Sequence, residues 1–125
     1  MNTELTLTTK QAIVTGGAAT LANLIKPLQQ EIYLSSAFLS KQAASLPTLR
    51  PGDKLSLKRE PDNRFDDRAI AVLSAQNEKI GYIPENENAV LANLMDAGKL
   101  LIAKVESVGN RYFLRVRIGI YLVDY

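Results

Sequence analysis

The chain of 125 residues contains no cysteine, no histidine and no tryptophan. The missing cysteines exclude disulfides and thiol nucleophiles. The missing histidines exclude imidazole bases, and the two absences together exclude ordinary zinc sites. Neither a metal nor a cofactor is expected. Long apolar runs are absent too, since none approaches the roughly 20 residues that span a bilayer. Residues 11–25 come nearest, but Gly16, Gly17 and Asn23 interrupt them. The chain therefore reads as a soluble, cytoplasmic protein with no membrane partner. Charge of one sign is scarce: the formal net charge is +2 and the pI about 8.9. This balance permits a nucleic-acid partner without requiring one.

What remains is an ordinary globular composition, with 46% apolar and 22% charged residues, in a chain long enough for one domain with a real core. The pattern divides it near residue 31. Residues 1–30 read as a polar, Thr-rich arm followed by a short helix from about Ala18 to Lys26. Ile13, Leu21, Leu24 and Leu28 form its apolar stripe. Such a stripe could dock on the main domain or on a second copy of the chain.

Residues 31–125 read mostly as strand. Ile32–Leu34 and Ala37–Leu39 start one strand. Arg50-Pro51-Gly52-Asp53 is a turn, and Leu55 and Leu57 alternate with polar neighbours in the strand after it. Ala69–Leu73 and Ile80–Ile83 follow, separated by a turn at Ser74–Glu78. The period then changes over residues 85–96. Asn86 or Asn88 can cap a helix there, with Val90, Leu91, Leu94 and Met95 on one face and Gly98 at its end. Two long strands, Leu100–Val108 and Tyr112–Val123, are expected to meet through a two-residue hairpin at Gly109-Asn110. The fold class is mostly β with one or two helices, built as a small, partly open barrel of five to six strands.

One segment stands out chemically: Lys58-Arg59-Glu60-Pro61-Asp62-Asn63-Arg64-Phe65-Asp66-Asp67-Arg68. Asp, Asn and Pro favour turns, yet a phenyl ring sits in the middle. Phe65 either staples the loop or stacks on something from outside. Lys58, Arg59, Arg64 and Arg68 around an aromatic are the ingredients of single-strand recognition. The four carboxylates nearby would repel phosphates, but an aspartate suits a hydroxyl, which can donate to it. The plainer reading is that Asp62, Asn63 and Asp66 only bond their own loop. A second basic feature is Arg111, Arg115 and Arg117, separated by even numbers of positions on one expected strand. They would share a face able to track phosphates, or simply form a solvated one. Catalysis fits poorly. Asp66 and Asp67 would point apart, Asp62 with Asp66 could at most hold magnesium, and no phosphate-binding loop or nucleophile elbow is present.

The order of motifs resembles a HIRAN domain. The residues that carry the resemblance are Gly52-Asp53-Lys54-Leu55, Arg59-Glu60-Pro61-Asp62-Asn63, Phe65-Asp66, Ala69-Ile70-Ala71-Val72, Lys79-Ile80-Gly81-Tyr82-Ile83-Pro84, Asn88 to Leu94 and Asp96-Ala97-Gly98. The match is good over about residues 49–108 and extends over 32–125. It implies a barrel related to the OB-fold and a non-catalytic module that binds single-stranded DNA at a free 3′-hydroxyl end. It also leaves room for a replication or DNA-repair enzyme as partner. By position, Phe65 takes the place of the family's stacking aromatic and Asp66 that of the carboxylate facing the 3′-hydroxyl. Asn63 is their polar neighbour and Tyr82 a pocket-lining group. Phe38 stands nearest to an aromatic of the first strand. Lys58, Arg59 and Arg64 would hold adjacent phosphates. Three departures are Arg64 for the usual proline, Phe65 for the usual tyrosine, and Glu85 where a basic residue is common. The alternative is a self-associating or protein-interaction module that has lost the ligand.

Overall fold

The computed structural model describes residues 30–109 and 114–124. The expected N-terminal helix, its apolar stripe and Arg111 lie outside the described residues.

Six strands make one sheet: β1 (Gln30–Phe38), β2 (Lys54–Glu60), β3 (Ala69–Leu73), β4 (Lys79–Tyr82), β5 (Leu100–Ser107) and β6 (Arg117–Asp124). One helix, α1 (Ala89–Asp96), follows a 3-10 turn at Glu85–Glu87. The strand order is β1-β6-β5-β2-β3-β4. The pairs β2–β3, β2–β5, β3–β4 and β5–β6 are antiparallel. The chain just after β1 reaches the opposite edge. Ser40 and Tyr82 exchange two backbone hydrogen bonds of 2.8 Å, and the Ala43 N–H donates to the Ile80 carbonyl. The sheet edges therefore touch over this short stretch without zipping together, which leaves a partly open barrel.

Alternation places the core. On β5, Leu101, Ala103 and Val105 are buried while Ile102, Lys104 and Glu106 are half-buried, as the two-residue period of a strand requires. Ala69 to Val72 of β3 are all buried, so both faces of this strand are covered. Ile70, Ile80, Leu101, Ile118 and Ile120 are the largest apolar side chains among the fully buried. The turn into β2 has Pro51 and then Gly52 at φ 94°, and the Asp53 N–H closes it on the Arg50 carbonyl. A type II turn needs that positive φ, which glycine adopts without a steric cost. Gly81 matters for a different reason. A Cβ there would lie 2.6 Å from Leu39 Cγ and 2.8 Å from the Ser40 oxygen, so only glycine lets the two edges meet.

α1 ends in a Schellman motif: the Gly98 N–H donates to the Met95 carbonyl and the Lys99 N–H to that of Leu94. Its start differs from expectation. Asn88 precedes the helix but its side chain caps nothing. Leu91 and Ala92 form the buried face, with Leu94 and Met95 packed beside them, whereas Val90 is 70% exposed. The β5–β6 connection differs as well. The last described pair is Ser107 with Arg117, beyond a bulge, so the loop is longer than a two-residue turn at Gly109-Asn110. The reason is that residues 114–116 leave the hairpin to meet the chain after β1, where the Leu39 N–H donates to the Val116 carbonyl. Arg115 accordingly precedes β6.

Candidate functional site

The charged segment becomes a loop between β2 and β3 that is organised by its own polar side chains. Asn63 Oδ1 accepts the backbone N–H groups of Phe65 (2.9 Å) and Asp66 (3.2 Å). Asn63 Nδ2 donates to Glu60 Oε1 at 3.1 Å. Asp66 Oδ1 accepts the Arg68 N–H at 2.9 Å, and Asp66 Oδ2 accepts Nδ2 of Asn88 at 2.8 Å. Asn63 and Asp66 both tie the loop, but Asp66 also reaches beyond it to Asn88. Asn88 is only 2% exposed. Its amide is turned inward to the Asp66 carboxylate, which is why it does not cap α1.

A cavity of about 300 Å³ opens between this loop, the Ser40–Lys41 segment and the end of β4. Asn63, Phe65, Asp66 and Tyr82 line it, with Ser40, Lys41 and Glu85 on the remaining wall. Four of the expected residues are thus brought together. Phe65 stands at the rim, 79% exposed, with the Arg64 guanidinium 5.7 Å from its ring centroid. An apolar ring left this open has no core to join. Lys41 turns the chain in the left-handed region (φ 50°), and its ammonium lies 5.9 Å from the Tyr82 ring centroid.

Behind the cavity runs a chain of polar contacts. Lys79 Nζ donates to the Tyr82 hydroxyl (2.8 Å) and pairs with Glu60 Oε2 (2.6 Å), and the Tyr82 hydroxyl donates to Glu60 Oε1 (2.8 Å). Lys79 above all, then Tyr82 and Asn63, hold the Glu60 carboxyl at about 2. The Asp66 carboxyl is also lowered. The main cause is the Arg68 N–H, then the Asn88 amide, with the charges of Lys41 and Arg68 adding. Both groups are ionised at neutral pH, so Asp66 presents an acceptor-only carboxylate to the cavity.

Three expected residues are elsewhere. Arg59 is occupied: Nε and Nη2 bind the Asp96 carboxylate, Nη1 donates to the Ala69 carbonyl (2.7 Å) and Nη2 to that of Asp67 (3.0 Å). With most of its donors used, it ties the loop to the end of α1 and has little left to offer a phosphate. Lys58 is exposed on β2 but does not line the cavity. Phe38 does not line it either: the Arg115 and Arg117 guanidinium groups lie 3.9 and 5.3 Å from its ring centroid. The residues that sequence reasoning missed are Ser40, Lys41, Glu60 and Asn88. Nothing in the local pattern around Ser40 and Lys41 signals that they turn onto the opposite sheet edge.

Among the described residues no group of three or more acidic side chains is arranged to hold a metal ion, and no helix is long and apolar enough to cross a membrane.

Comparison with known proteins places this geometry in context. A family model described as HIRAN domain matches residues 19–123. An Arabidopsis thaliana protein described as a putative SWI/SNF-related matrix-associated actin-dependent regulator of chromatin, subfamily A member 3-like 1, is 32% identical over 73 residues. Those residues are 55% of this chain but only 8% of that protein. A crystal structure of a Lactobacillus plantarum protein superposes with a TM-score of 0.71 at 28% identity, covering 78% of this chain and 99% of that one. The HIRAN domain of human HLTF superposes with a TM-score of 0.64, covering 76% of this chain and 78% of that one. Its identity is 16%, so that likeness speaks for the fold alone.

Proposed function

The chain belongs to the HIRAN family, a family of non-catalytic nucleic-acid-binding modules, and on that footing we propose that it captures single-stranded DNA by a free 3′-hydroxyl end. The observation that carries this reading is the pairing of an exposed ring with a held carboxylate at one cavity: Phe65 at the rim and Asp66 in the wall.

The terminal base stacks on Phe65, an interaction worth roughly 1–3 kcal/mol. The terminal sugar enters the cavity and its 3′-hydroxyl donates to Asp66. Each Asp66 oxygen already accepts one bond, and a carboxylate oxygen has room for a second. Lys41 on the same wall takes the phosphate nearest the end, and Arg64 beside Phe65 adds a cation at the rim. A strand ending in a 3′-phosphate would meet two carboxylates in the cavity wall, Asp66 and Glu85. Repulsion there favours the hydroxyl form.

Substitution of Asp66 separates end capture from general affinity. Asp66→Ala is expected to lower the preference for a 3′-hydroxyl over a blocked end more than it lowers total binding. Phe65→Ala is expected to weaken binding to all ends. Fluorescence anisotropy with labelled strands reads both effects. An equal loss on hydroxyl and blocked ends in Asp66→Ala would remove the role assigned to that carboxylate.

A further inference from the structure

A second basic feature lies outside the cavity, at the junction of β1 and β6. Phe38 ends β1, and two guanidinium groups approach its ring, Arg115 at 3.9 Å and Arg117 at 5.3 Å from the centroid. At 3.9 Å the Arg115 group is in van der Waals contact with the ring, so that part of Phe38 is already covered. Phe38 therefore serves as a seat for cations and is a poor platform for a base.

The backbone on either side of Arg115 is held as well. The Gln42 side chain straddles it in sequence: Nε2 donates to the Leu114 carbonyl (3.2 Å), and Oε1 accepts the Val116 N–H (3.2 Å). The Val116 carbonyl in turn accepts the Leu39 N–H at 2.8 Å. An arginine whose backbone is clamped and whose head rests on a ring loses less freedom when it binds. The N–H donors of a guanidinium lie in its plane and point away from its central carbon, so a group with its carbon over a ring keeps N–H donors for a phosphate. Glu106 pairs with Arg117 at 3.3 Å. Arg117 Nε also donates to Ser36 Oγ at 2.8 Å. Among the described residues Arg115 forms no ion pair.

The position is continuous with the cavity. Ala37 and Leu39 are buried while Phe38 and Ser40 are half-buried. Phe38 and Ser40 thus point to the same side, roughly 6.5–7 Å apart along an extended chain, and Ser40 lines the cavity.

We infer that Arg115, supported by Arg117 and seated on Phe38, is a phosphate-binding subsite for the part of a DNA strand that runs outward from the cavity. This rests on the end-capture reading and extends it: the preferred ligand is a strand several nucleotides long, since a mononucleotide or dinucleotide would fill the cavity alone.

The test uses the full chain and labelled DNA strands of two and ten nucleotides, each ending in a 3′-hydroxyl or a 3′-phosphate, over a series of salt concentrations. Arg115→Gln is expected to weaken binding of the ten-nucleotide strand several-fold at low salt. It should make the plot of log affinity against log salt shallower by about 0.7, the value for one phosphate contact on a single strand. Binding of the dinucleotide and the hydroxyl preference should stay as in the parent chain. Arg115→Lys should keep the salt slope but recover only part of the affinity. An unchanged affinity and slope for the long strand in Arg115→Gln would overturn the subsite and leave a solvated outer face. A parent chain with no hydroxyl preference, whose slope nevertheless falls in Arg115→Gln, would overturn end capture and keep the subsite.

Discussion

Asn88 is the residue on which the candidate site most depends without lining it. It is buried, and its amide donates to the same Asp66 carboxylate that the reading assigns to the terminal hydroxyl. Asn88→Ala removes a buried donor from an ionised acceptor, which costs on the order of 1–3 kcal/mol. Urea unfolding should register that loss, and strand binding should weaken because the carboxylate is no longer aimed. Glu60 carries a similar load one layer back. Its carboxyl is lowered from 4.5 to about 2 in the folded chain, first of all by Lys79. The folded state therefore binds this proton less readily than the unfolded one. The stabilisation is fully present above pH 4.5 and is lost as the pH falls toward 2. Glu60→Gln should flatten the acid arm of the stability profile over that window, and a parent-like acid arm would contradict the network.

At the scale of elements, the contact between the chain after β1 and β4 decides whether the cavity has a second wall. Ser40 bridges Tyr82, and both line the cavity. Gly81 lies beneath the bridge with no room for a Cβ against Leu39 and the Ser40 carbonyl. Gly81→Ala should force the edges apart at a cost of roughly 1–3 kcal/mol. It should weaken strand binding beyond what the stability loss explains, as thermal melts and anisotropy on the same sample would reveal. The strands themselves were legible in sequence because alternation, turn residues and Gly98 act locally. The Ala69–Leu73 strand, the type II turn at Pro51-Gly52 and the Schellman end of α1 all follow from neighbours within a few positions. What was not legible depends on distant partners. Arg59 finds Asp96, Asn88 finds Asp66, and residues 114–116 find the chain after β1. Those choices occupy Arg59 as a brace, turn the Asn88 amide away from capping α1 and lengthen a hairpin expected to be tight.

For the whole molecule, the partly open barrel gathers a loop, a strand end and the chain after β1 around one cavity. Asn63, Phe65, Asp66 and Tyr82 could be named from sequence because they fall inside a motif whose order resembles a family. Lys41 could not, since only the curling of the sheet brings it to the same wall. The net charge of +2 is too small for steering alone to hold DNA tightly. Affinity must therefore come from specific contacts at and beside the strand end rather than from a general basic surface. The direct measurement is fluorescence anisotropy of the full chain with one short DNA strand, ending in either a 3′-hydroxyl or a 3′-phosphate, at low and moderate salt. Tighter binding of the hydroxyl form is expected at both salts. Equal binding of the two forms that fades steeply with salt, or no binding of either, would contradict it.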